Sequence, residues 1–407
     1  MCEYKRDNKQ KQEKRYRLAD FFNSHWEEYR KSPKEYIQPE QYKAVNAIRT
    51  CRTAALGVDR YVCTECGEVT EIYHSCKHRF CPTCGWQDTV KWGERVKGEM
   101  MDIAHRHVVF TIPHALHGLM KENRKVLQNE LMRTSADTIK DWMRHKYGIK
   151  AGIIEVLHTY GEKKEKHYHT HMIVSWGGID SKTGELRRIK GRFVKYGFLQ
   201  DKFQIKFEDK LVKLYDTGVL KSKFKDRVEL MKFLKRINKN NWIIHLEPPM
   251  DIPALVIRYI GRYSKRACLS EYKITAMGGE HISFRYKDYK NKDFTGKAIE
   301  REIRLHYRDF FPRLLQHVPL PYFRMVRYYG VYSNRGEVPE EYLYKETTEA
   351  EGMTNTYESQ EDVLYCQACK REKEYQYTII EKRETRESKE KIIIIYKRAI
   401  GVRGKAA

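Results

Sequence analysis

The sequence predicts an α+β protein in which a cysteine-rich module precedes a domain built on antiparallel strands. Two CxxC pairs between residues 63 and 84 indicate a metal-bound module. Residues 150–158 and 166–176 have strand-like patterns and flank a short polar turn, which indicates an antiparallel hairpin. Residues 120–147 repeat apolar side chains at helical spacing. Separate strand-forming and helix-forming segments are typical of an α+β fold.

The chain divides into segments that differ in composition. These are a helical segment over 1–50, the cysteine-rich module over 51–98, the main domain over 99–336 with a basic insertion at about 181–240, and a polar tail over 337–407. The helical segment is predicted from an apolar stripe formed by Phe21, Phe22, Trp26 and Tyr29.

The main domain contains further predicted elements. They are a strand over 105–112, the helix and hairpin described above, a helix near 228–237, a strand over 242–246, a helix from Asp251 to about 267, and strands over 283–286 and 322–329. Pro113 ends the first strand because proline cannot donate to a sheet ladder. Asp251 is a suitable N-cap for its helix, and Pro253 is tolerated in the first turn.

The charge of the chain points to a polyanionic partner. Lys and Arg total 79 against 55 Asp and Glu, a net charge of +24. Residues 181–240 alone contain 18 basic and 7 acidic residues, a net charge of +11. Such a surplus suits nucleic acid, with affinity driven by release of counterions. A lysine-rich soluble surface is the alternative that charge alone leaves open.

The ten cysteines cluster along the chain. No apolar run reaches the roughly 18 residues needed to span a bilayer, and residues 1–6 lack the apolar core of a signal peptide. We therefore expect no membrane partner and a cytoplasmic protein, associated with the nucleoid when bound to DNA. Cytoplasmic thiols stay reduced, so clustered cysteines indicate metal binding rather than disulfides.

Four cysteines are predicted to bind a structural Zn²⁺. Cys63 and Cys66 form one CxxC pair and Cys81 and Cys84 the other, and two such turns supply the four soft ligands of a tetrahedral site. Four further candidates lie nearby: Cys51, His74, Cys76 and His78. They are either packing residues or ligands of a second metal site that shares some ligands with the first.

The tail is predicted to be weakly ordered. Residues 337–407 contain 13 basic and 15 acidic residues, and the only expected element is a short strand over Ile392–Tyr396. The tail also carries a lone CxxC, Cys366 and Cys369. Two thiols do not complete a structural site, so incidental cysteines are the simpler interpretation.

Histidines alternate at residues 167, 169 and 171, so on a strand their rings share one face. A hairpin turn between Lys163 and Lys164 would place His158 opposite His169. His158, His169 and His171 then form a candidate site for a divalent metal ion. A solvated polar sheet face is the alternative, and the apolar residues on the opposite strand face argue against it.

Two tyrosines, Tyr259 and Tyr263, lie one turn apart if their segment is helical. Packing is the simpler reading of an aromatic pair in a chain with 29 tyrosines. Basic side chains would instead favour phenolate character and contact phosphate. The basic residues around the pair, also predicted to bind DNA, are Arg258, Arg262, Lys265 and Arg266.

With these motifs the chain resembles an HUH-endonuclease transposase of the zinc-bearing, two-tyrosine class encoded by rolling-circle insertion sequences. The matching stretches cover roughly residues 45–336 in the expected order: CRTAALGVDRYVCTECG, YHSCKHRFCPTCG, EVLHTYGE, HYHTHMIVSWGG, WIIHLEPP, IRYIGRYSKR, FRYKDY and MVRYYGVYSNRG. The sequence departs from the family pattern at Thr170, which is usually bulky and hydrophobic, and at Glu247, which is often basic.

The resemblance implies an amino-terminal zinc module and a palm-like catalytic domain with a central antiparallel sheet. It places Mg²⁺ or Mn²⁺ on His169 and His171, with His158 matching the third ligand by position, and it makes Tyr259 and Tyr263 the nucleophiles. The expected partners are single-stranded DNA, transposon ends and target DNA. No nucleotide cofactor is expected, because a phosphotyrosine link conserves the energy of the bond.

Three other functions remain open from the sequence. A replication initiator or relaxase would use the same chemistry, although the zinc module fits transposases better. A non-enzymatic zinc-containing DNA-binding regulator would bind DNA without nicking it. A metal-dependent nuclease that attacks with water would leave no covalent adduct between protein and DNA.

Overall fold

A computed structural model describes residues 16–191, 196–237, 239–250, 268–336, 338–345, 364–366, 368–382 and 392–396. The helices in these residues are α1 (Leu18–Tyr29), α2 (Pro39–Thr50), α3 (Pro82–Gly98), α4 (His117–Glu122), α5 (Arg124–Tyr147), α6 (Tyr196–Asp216), α7 (Arg227–Arg236) and α8 (Tyr307–Leu315). Across these ranges, every helix is too short or too polar to span a lipid bilayer.

The strands in the same residues are β1 (Val58–Val62), β2 (Val69–Tyr73), β3 (His105–Thr111), β4 (Ile149–Lys150), β5 (Gly152–Tyr160), β6 (Lys166–Ser175), β7 (Gly177–Asp180), β8 (Leu186–Arg188), β9 (Ile243–Leu246), β10 (Ile274–Gly278), β11 (His281–Lys292), β12 (Ala298–His306), β13 (Val326–Gly330), β14 (Tyr365–Cys366), β15 (Arg371–Glu372), β16 (Glu374–Lys382) and β17 (Ile392–Tyr396). Helices and antiparallel strands together confirm the predicted α+β class. The helix predicted from Asp251 to about 267 lies outside the described residues.

A five-stranded antiparallel sheet forms the centre of the main domain, in the order β13-β5-β6-β3-β9. Strands β5 and β6 are joined by a tight turn in which Lys164 takes a left-handed conformation with φ of 63°. The register shifts by one residue between Tyr160 and His158, and beyond this shift His158 pairs with His169 and Val156 with His171. The predicted hairpin and its histidine pairing are confirmed.

Helices α5 and α6 cover one face of this sheet. Along β6, Tyr168, Met172 and Val174 point into the core beneath these helices, because alternate residues of a strand share a face. The sequence reading missed α6 inside the basic insertion. The signal was present, since Leu199, Phe203, Phe207 and Leu211 recur every four residues and are all buried in this core.

Glu155 is a buried carboxyl group under α5, and its side chain is 0% exposed. Ser135 Oγ donates a hydrogen bond to Glu155 Oε1 at 2.5 Å. Burial raises the pKa of Glu155 to about 8, against an ordinary value of 4.5. Between pH 4.5 and about 8, the Glu155 carboxyl group is therefore protonated in the folded chain and ionised in the unfolded chain.

The contribution of Glu155 to stability is consequently expected to fall as pH rises from about 4.5 to 8. Where only the folded state binds the proton, the free energy of unfolding drops by about 1.4 kcal/mol per pH unit. Glu155→Gln should remove this slope, and urea unfolding of variant and wild type from pH 6.5 to 8 measures the difference. Glu122→Gln, at an exposed position, is the control. Parallel pH profiles for wild type and Glu155→Gln would contradict a buried, protonated carboxyl group.

Helices α1 and α2 pack against elements that come much later in the sequence. These are α8 and the three-stranded sheet β10-β11-β12. The apolar stripe predicted on the first helix forms this contact, and Phe22 stacks on Phe311 with ring centroids 4.9 Å apart. Phe21 meets Phe310 edge to face at 5.8 Å. The helical segment predicted over 1–50 is thus anchored to the main domain.

Among the described residues of the polar tail, Glu374–Lys382 and Ile392–Tyr396 belong to a sheet, an order that was not expected for the first of these segments. Strands lie in the order β17-β16-β1-β2, so two tail strands extend the hairpin of the cysteine-rich module. Val58 pairs with Ile379 and Val62 with Glu374. The short strand predicted over Ile392–Tyr396 is present as β17. Strand β16 escaped prediction because its pairing partner lies some three hundred residues away in the sequence.

Candidate functional site

Three histidines from the β5–β6 hairpin converge on the sheet face opposite α5. His158 lies on β5, and His169 and His171 are two residues apart on β6. The cross-strand pairing of His158 with His169 brings all three together, and one ring nitrogen of each lies within 4.8 Å of the others. Ring centroids are 4.6–5.2 Å apart. All three side chains are at least nine-tenths buried.

The ring nitrogens are oriented by neighbouring groups. His171 Nδ1 lies 2.8 Å from Nε2 of His107, and His169 Nδ1 lies 3.2 Å from the carbonyl oxygen of His167. Nε2 is therefore the nitrogen that each of these two ligands would offer to a metal ion. Metal-binding histidines commonly use their second nitrogen in this way, which fixes the tautomer and the ring plane.

His107 and Glu247 extend this arrangement away from the histidine cluster. His107 stacks on His171 with ring planes 7° apart, and its side chain is 2% exposed. His107 Nδ1 lies 3.6 Å from Glu247 Oε1, an ion-pair distance. From the sequence, Glu247 was noted only as a departure from the family pattern, and His107 was not selected. The available signal was the HRH triplet at the start of β3.

Burial favours the neutral form of His169 and His171, the form that binds metal ions. Burial, and then the neighbouring His158, hold the pKa of His169 and of His171 well below the ordinary value of 6.5. Burial also lowers the pKa of His107, while the Glu247 carboxylate opposes that change. His169 and His171 thus present neutral ring nitrogens at neutral pH, which fits a divalent cation.

Eight of the cysteines form two groups, where one site was predicted and a second, sharing some of its ligands, was left open. One group is Cys51, Cys76, Cys81 and Cys84, and the other is Cys63, Cys66, Cys366 and Cys369; within each, the sulfur atoms lie within 4.8 Å of one another. The predicted set of Cys63, Cys66, Cys81 and Cys84 is therefore corrected, because its two CxxC pairs belong to different groups. Spacing along the chain did not indicate which pairs meet in space.

The first group, which we call the amino-terminal thiol group, has dimensions suited to zinc. Cys84 Sγ lies 3.6 Å from the sulfur of Cys51 and 3.6 Å from that of Cys76. Zinc–sulfur bonds of about 2.3 Å in a tetrahedron place sulfurs about 3.8 Å apart. Hydrogen bonding, first with Cys51, lowers the pKa of the Cys84 thiol. Cys81 is the N-cap of α3 and Cys84 lies in its first turn, where the helix dipole also favours a thiolate at Cys84.

The two histidines considered as zinc ligands lie outside both thiol groups. His74 Nε2 is 2.9 Å from Asp59 Oδ1, and its Nδ1 is 3.1 Å from the carbonyl oxygen of Leu56. His78 Nδ1 accepts a hydrogen bond from the Phe80 amide at 3.1 Å. Both rings therefore make structural contacts next to the amino-terminal thiol group. Of the four additional candidates, Cys51 and Cys76 join the group.

The tyrosine pair has no described position. Tyr259 and Tyr263, and the basic residues Arg258, Arg262, Lys265 and Arg266, lie outside the described residues. Their proposed roles therefore rest on the sequence.

A basic and aromatic groove lies between α5 and the segment that leads into β13. Its side chains are mainly of two kinds, cationic and aromatic: Lys125, Arg133, Arg324, Arg327, Tyr322, Phe323, Tyr328 and Tyr329. Tyr322 is fully exposed with φ of 58°, and Arg327 lies over the Phe323 ring at 5.2 Å. Surfaces that bind single-stranded nucleic acid combine two features. Cationic side chains follow the phosphates, and exposed aromatic rings beside them stack on the bases.

Two protein families match successive parts of the chain. Residues 21–112 match a family described as "Transposase zinc-binding domain", and residues 152–339 match one described as "Putative transposase". The first covers the amino-terminal thiol group, and the second covers the hairpin with His158, His169 and His171.

Two relatives match across both parts. The chain is 30% identical over 327 residues to the putative transposase y4qJ of Sinorhizobium fredii (strain NBRC 101917 / NGR234), covering 78% of this chain and 80% of that protein. It is 28% identical over 307 residues to the transposase for insertion sequence element IS801 of Pseudomonas savastanoi pv. phaseolicola, covering 72% and 71%. No solved structure matches the chain.

Proposed function

The chain belongs to the family of transposases with an IS91-type zinc-binding domain, and from this premise we propose that it cuts and rejoins single-stranded DNA through a 5′-phosphotyrosine intermediate. The observation that carries the proposal is the convergence of His158, His169 and His171 in one buried cluster. Three imidazole ligands leave coordination positions for phosphate oxygens, as a catalytic metal site requires.

Mg²⁺ or Mn²⁺ on these histidines would polarise the scissile phosphate and stabilise its developing charge. The phenolic oxygen of Tyr259 or Tyr263 attacks the phosphorus atom while the bond to the 3′ oxygen breaks. The phenol loses its proton and the departing 3′ oxygen gains one, so the products are a 5′-phosphotyrosine and a free 3′-OH. Attack by another 3′-OH reverses the step and joins strands without a nucleotide cofactor.

Two tyrosines allow two strands to be held at once. One tyrosine opens the first strand, and the second cleaves another, whose released 3′-OH then resolves the first link. The basic side chains Arg258, Arg262, Lys265 and Arg266 are proposed to contact the phosphates beside the tyrosines.

The rest of the chain is proposed to bind the DNA. The groove of Lys125, Arg133, Arg324 and Arg327 with exposed Tyr322 suits an unpaired strand. The net charge of +24 adds attraction without sequence preference. Zinc on Cys51, Cys76, Cys81 and Cys84 would stabilise the amino-terminal module rather than take part in cleavage. The proposed substrates are single strands from transposon ends and target DNA.

Incubation with labelled single strands from the flanks of its own gene tests the function. A covalent adduct that requires Mg²⁺ or Mn²⁺ is expected. Cleavage without an adduct would instead identify a nuclease that attacks with water, and binding without cleavage would identify a regulator. Rejoining of strands from the two flanks separates a transposase from an initiator or relaxase that acts on a single origin.

Glu247→Gln is expected to weaken metal binding about 10- to 100-fold, the usual range for groups that orient a metal ligand. The carboxylate faces His107 Nδ1, and His107 in turn contacts His171 Nδ1. Cleavage should therefore shift to higher Mn²⁺ concentration and recover at saturation. The measurement is the rate of adduct formation across a Mn²⁺ titration.

Glu185→Gln is the matched control, because it makes the same charge change at an exposed position. It should leave the Mn²⁺ dependence unchanged. If Glu247→Gln alters only DNA affinity, at unchanged Mn²⁺ dependence, then Glu247 contacts DNA and does not position His107.

A further inference from the structure

The carboxyl-terminal CxxC lies against the amino-terminal module. Cys366 Sγ is 3.7 Å from Cys66 Sγ, and with Cys63 and Cys369 they form a group whose sulfurs lie within 4.8 Å of one another. The 3.7 Å separation matches the edge of a zinc–sulfur tetrahedron, about 3.8 Å for bonds of about 2.3 Å. A disulfide requires about 2.05 Å, so these sulfurs are thiols.

The backbone around Cys366 makes the same hydrogen bond as the backbone of the other two CxxC pairs. Lys370 N–H donates to Cys366 O at 2.9 Å, as Gly67 N–H does to Cys63 O and Gly85 N–H to Cys81 O, both at 2.8 Å. Lys370 adopts a φ of 54°, a conformation that a residue with a side chain rarely takes. Such local strain is retained where the surroundings require the geometry.

Charged contacts hold the two segments together around this group. Arg371 Nη1 lies 2.5 Å from Glu65 Oε1, and Lys373 Nζ lies 3.1 Å from Glu68 Oε1. The Cys366 thiol donates to Glu68 Oε2 at 3.0 Å. The Lys373 side chain is only 4% exposed, and its charge offsets the carboxylate beside the sulfurs. The thiol proton would be released when a metal ion binds.

We propose that Cys63, Cys66, Cys366 and Cys369 bind a second structural zinc ion that fastens the carboxyl-terminal segment to the amino-terminal module. The site takes two ligands from residues 63–66 and two from residues 366–369. The second of these ranges lies outside the residues that match the two families. The site lies next to the end of the β1–β16 ladder, where Val62 pairs with Glu374. The metal ion and the sheet would therefore hold the same two segments together. The inference does not depend on the proposed cleavage chemistry.

Zinc content of the full-length chain tests the second site. The background is a His169→Ala, His171→Ala double variant, which keeps zinc out of the histidine cluster. Two zinc ions per chain are expected, one for each group of four thiols. Adding Cys366→Ser and Cys369→Ser should halve the zinc content, and adding Cys81→Ser and Cys84→Ser instead should halve it by loss of the other ion. One zinc per chain in the background would overturn the proposal.

Cys268→Ala is the matched control. Cys268 is buried and belongs to neither thiol group, so this change should leave both ions in place. Cobalt substitution of a further variant gives a second measurement, the absorption spectrum of the bound cobalt, which can be made even if the serine variants fold poorly. Cys369→His keeps a metal ligand and should retain two cobalt ions, with the absorption of one site shifted by its nitrogen ligand. An unchanged cobalt spectrum in Cys369→His would show that this sulfur is not a ligand.

Discussion

Replacing His169 or His171 by alanine is expected to slow metal-dependent cleavage by about 10³-fold or more. Lewis-acid stabilisation of a phosphoryl transition state is worth about 4 kcal/mol, and each 1.4 kcal/mol is a factor of ten in rate. Each change removes one of three converging ring nitrogens. His158→Ala should have a similar effect, because its ring completes the same cluster from β5.

DNA binding should change little in these variants. Affinity is expected to depend on the basic surface, and binding should weaken steeply with added salt in wild type and variants alike. Gel-based cleavage and fluorescence anisotropy on the same single strand separate the two effects. His281→Ala is the control, a histidine on β11 outside the cluster. Nicking at the wild-type rate by either His169→Ala or His171→Ala would rule out the metal site.

The second large effect is expected from the tyrosines. Tyr259→Phe and Tyr263→Phe keep the ring and remove only the hydroxyl, so they separate a nucleophile from a packing residue. One single variant should lose initial adduct formation, and the other should still cleave but fail to complete strand transfer. The double variant should form no adduct. A phenol has an ordinary pKa near about 10 and is a poor nucleophile at neutral pH unless cations stabilise its anion.

Peptide mapping of the trapped adduct identifies the attacking residue directly. Tyr272→Phe serves as the control, since Tyr272 is exposed and lies close in sequence. An adduct on Tyr272 or on Tyr168 would move the chemistry away from the pair. Full activity of the double variant would leave Tyr259 and Tyr263 as packing residues.

Local patterns were sufficient for the histidine cluster. A strand alternates its faces, and the turn assumed between Lys163 and Lys164 gave the pairing of His158 with His169, so His158, His169 and His171 could be grouped from the sequence. The register shift between His158 and Tyr160 had no signal there. His107 could not, because its contact with His171 depends on β3 pairing with β6 across many intervening residues.

Long-range pairing also explains the error at the cysteines. The CxxC motif defines a turn that holds two ligands, but nothing in its sequence specifies which other turn completes the site. Cys63 and Cys66 meet residues from the opposite end of the chain, whereas Cys81 and Cys84 meet nearer neighbours. Acidic and polar composition suggested a weakly ordered tail, yet the alternating apolar residues of β16 pair with β1.

The pairing of β1 with β16 has a consequence for synthesis of the protein. Val62 leaves the ribosome 312 residues before Glu374, its partner in the sheet. At roughly 5–20 residues per second, the interval is about 15–60 s. Throughout that time one edge of β1 offers unpaired backbone groups, a ready template for association with other chains. The module translated early is thus completed only after residues 374–379 have been translated, so a message interrupted before residue 374 yields a chain whose first sheet stays open.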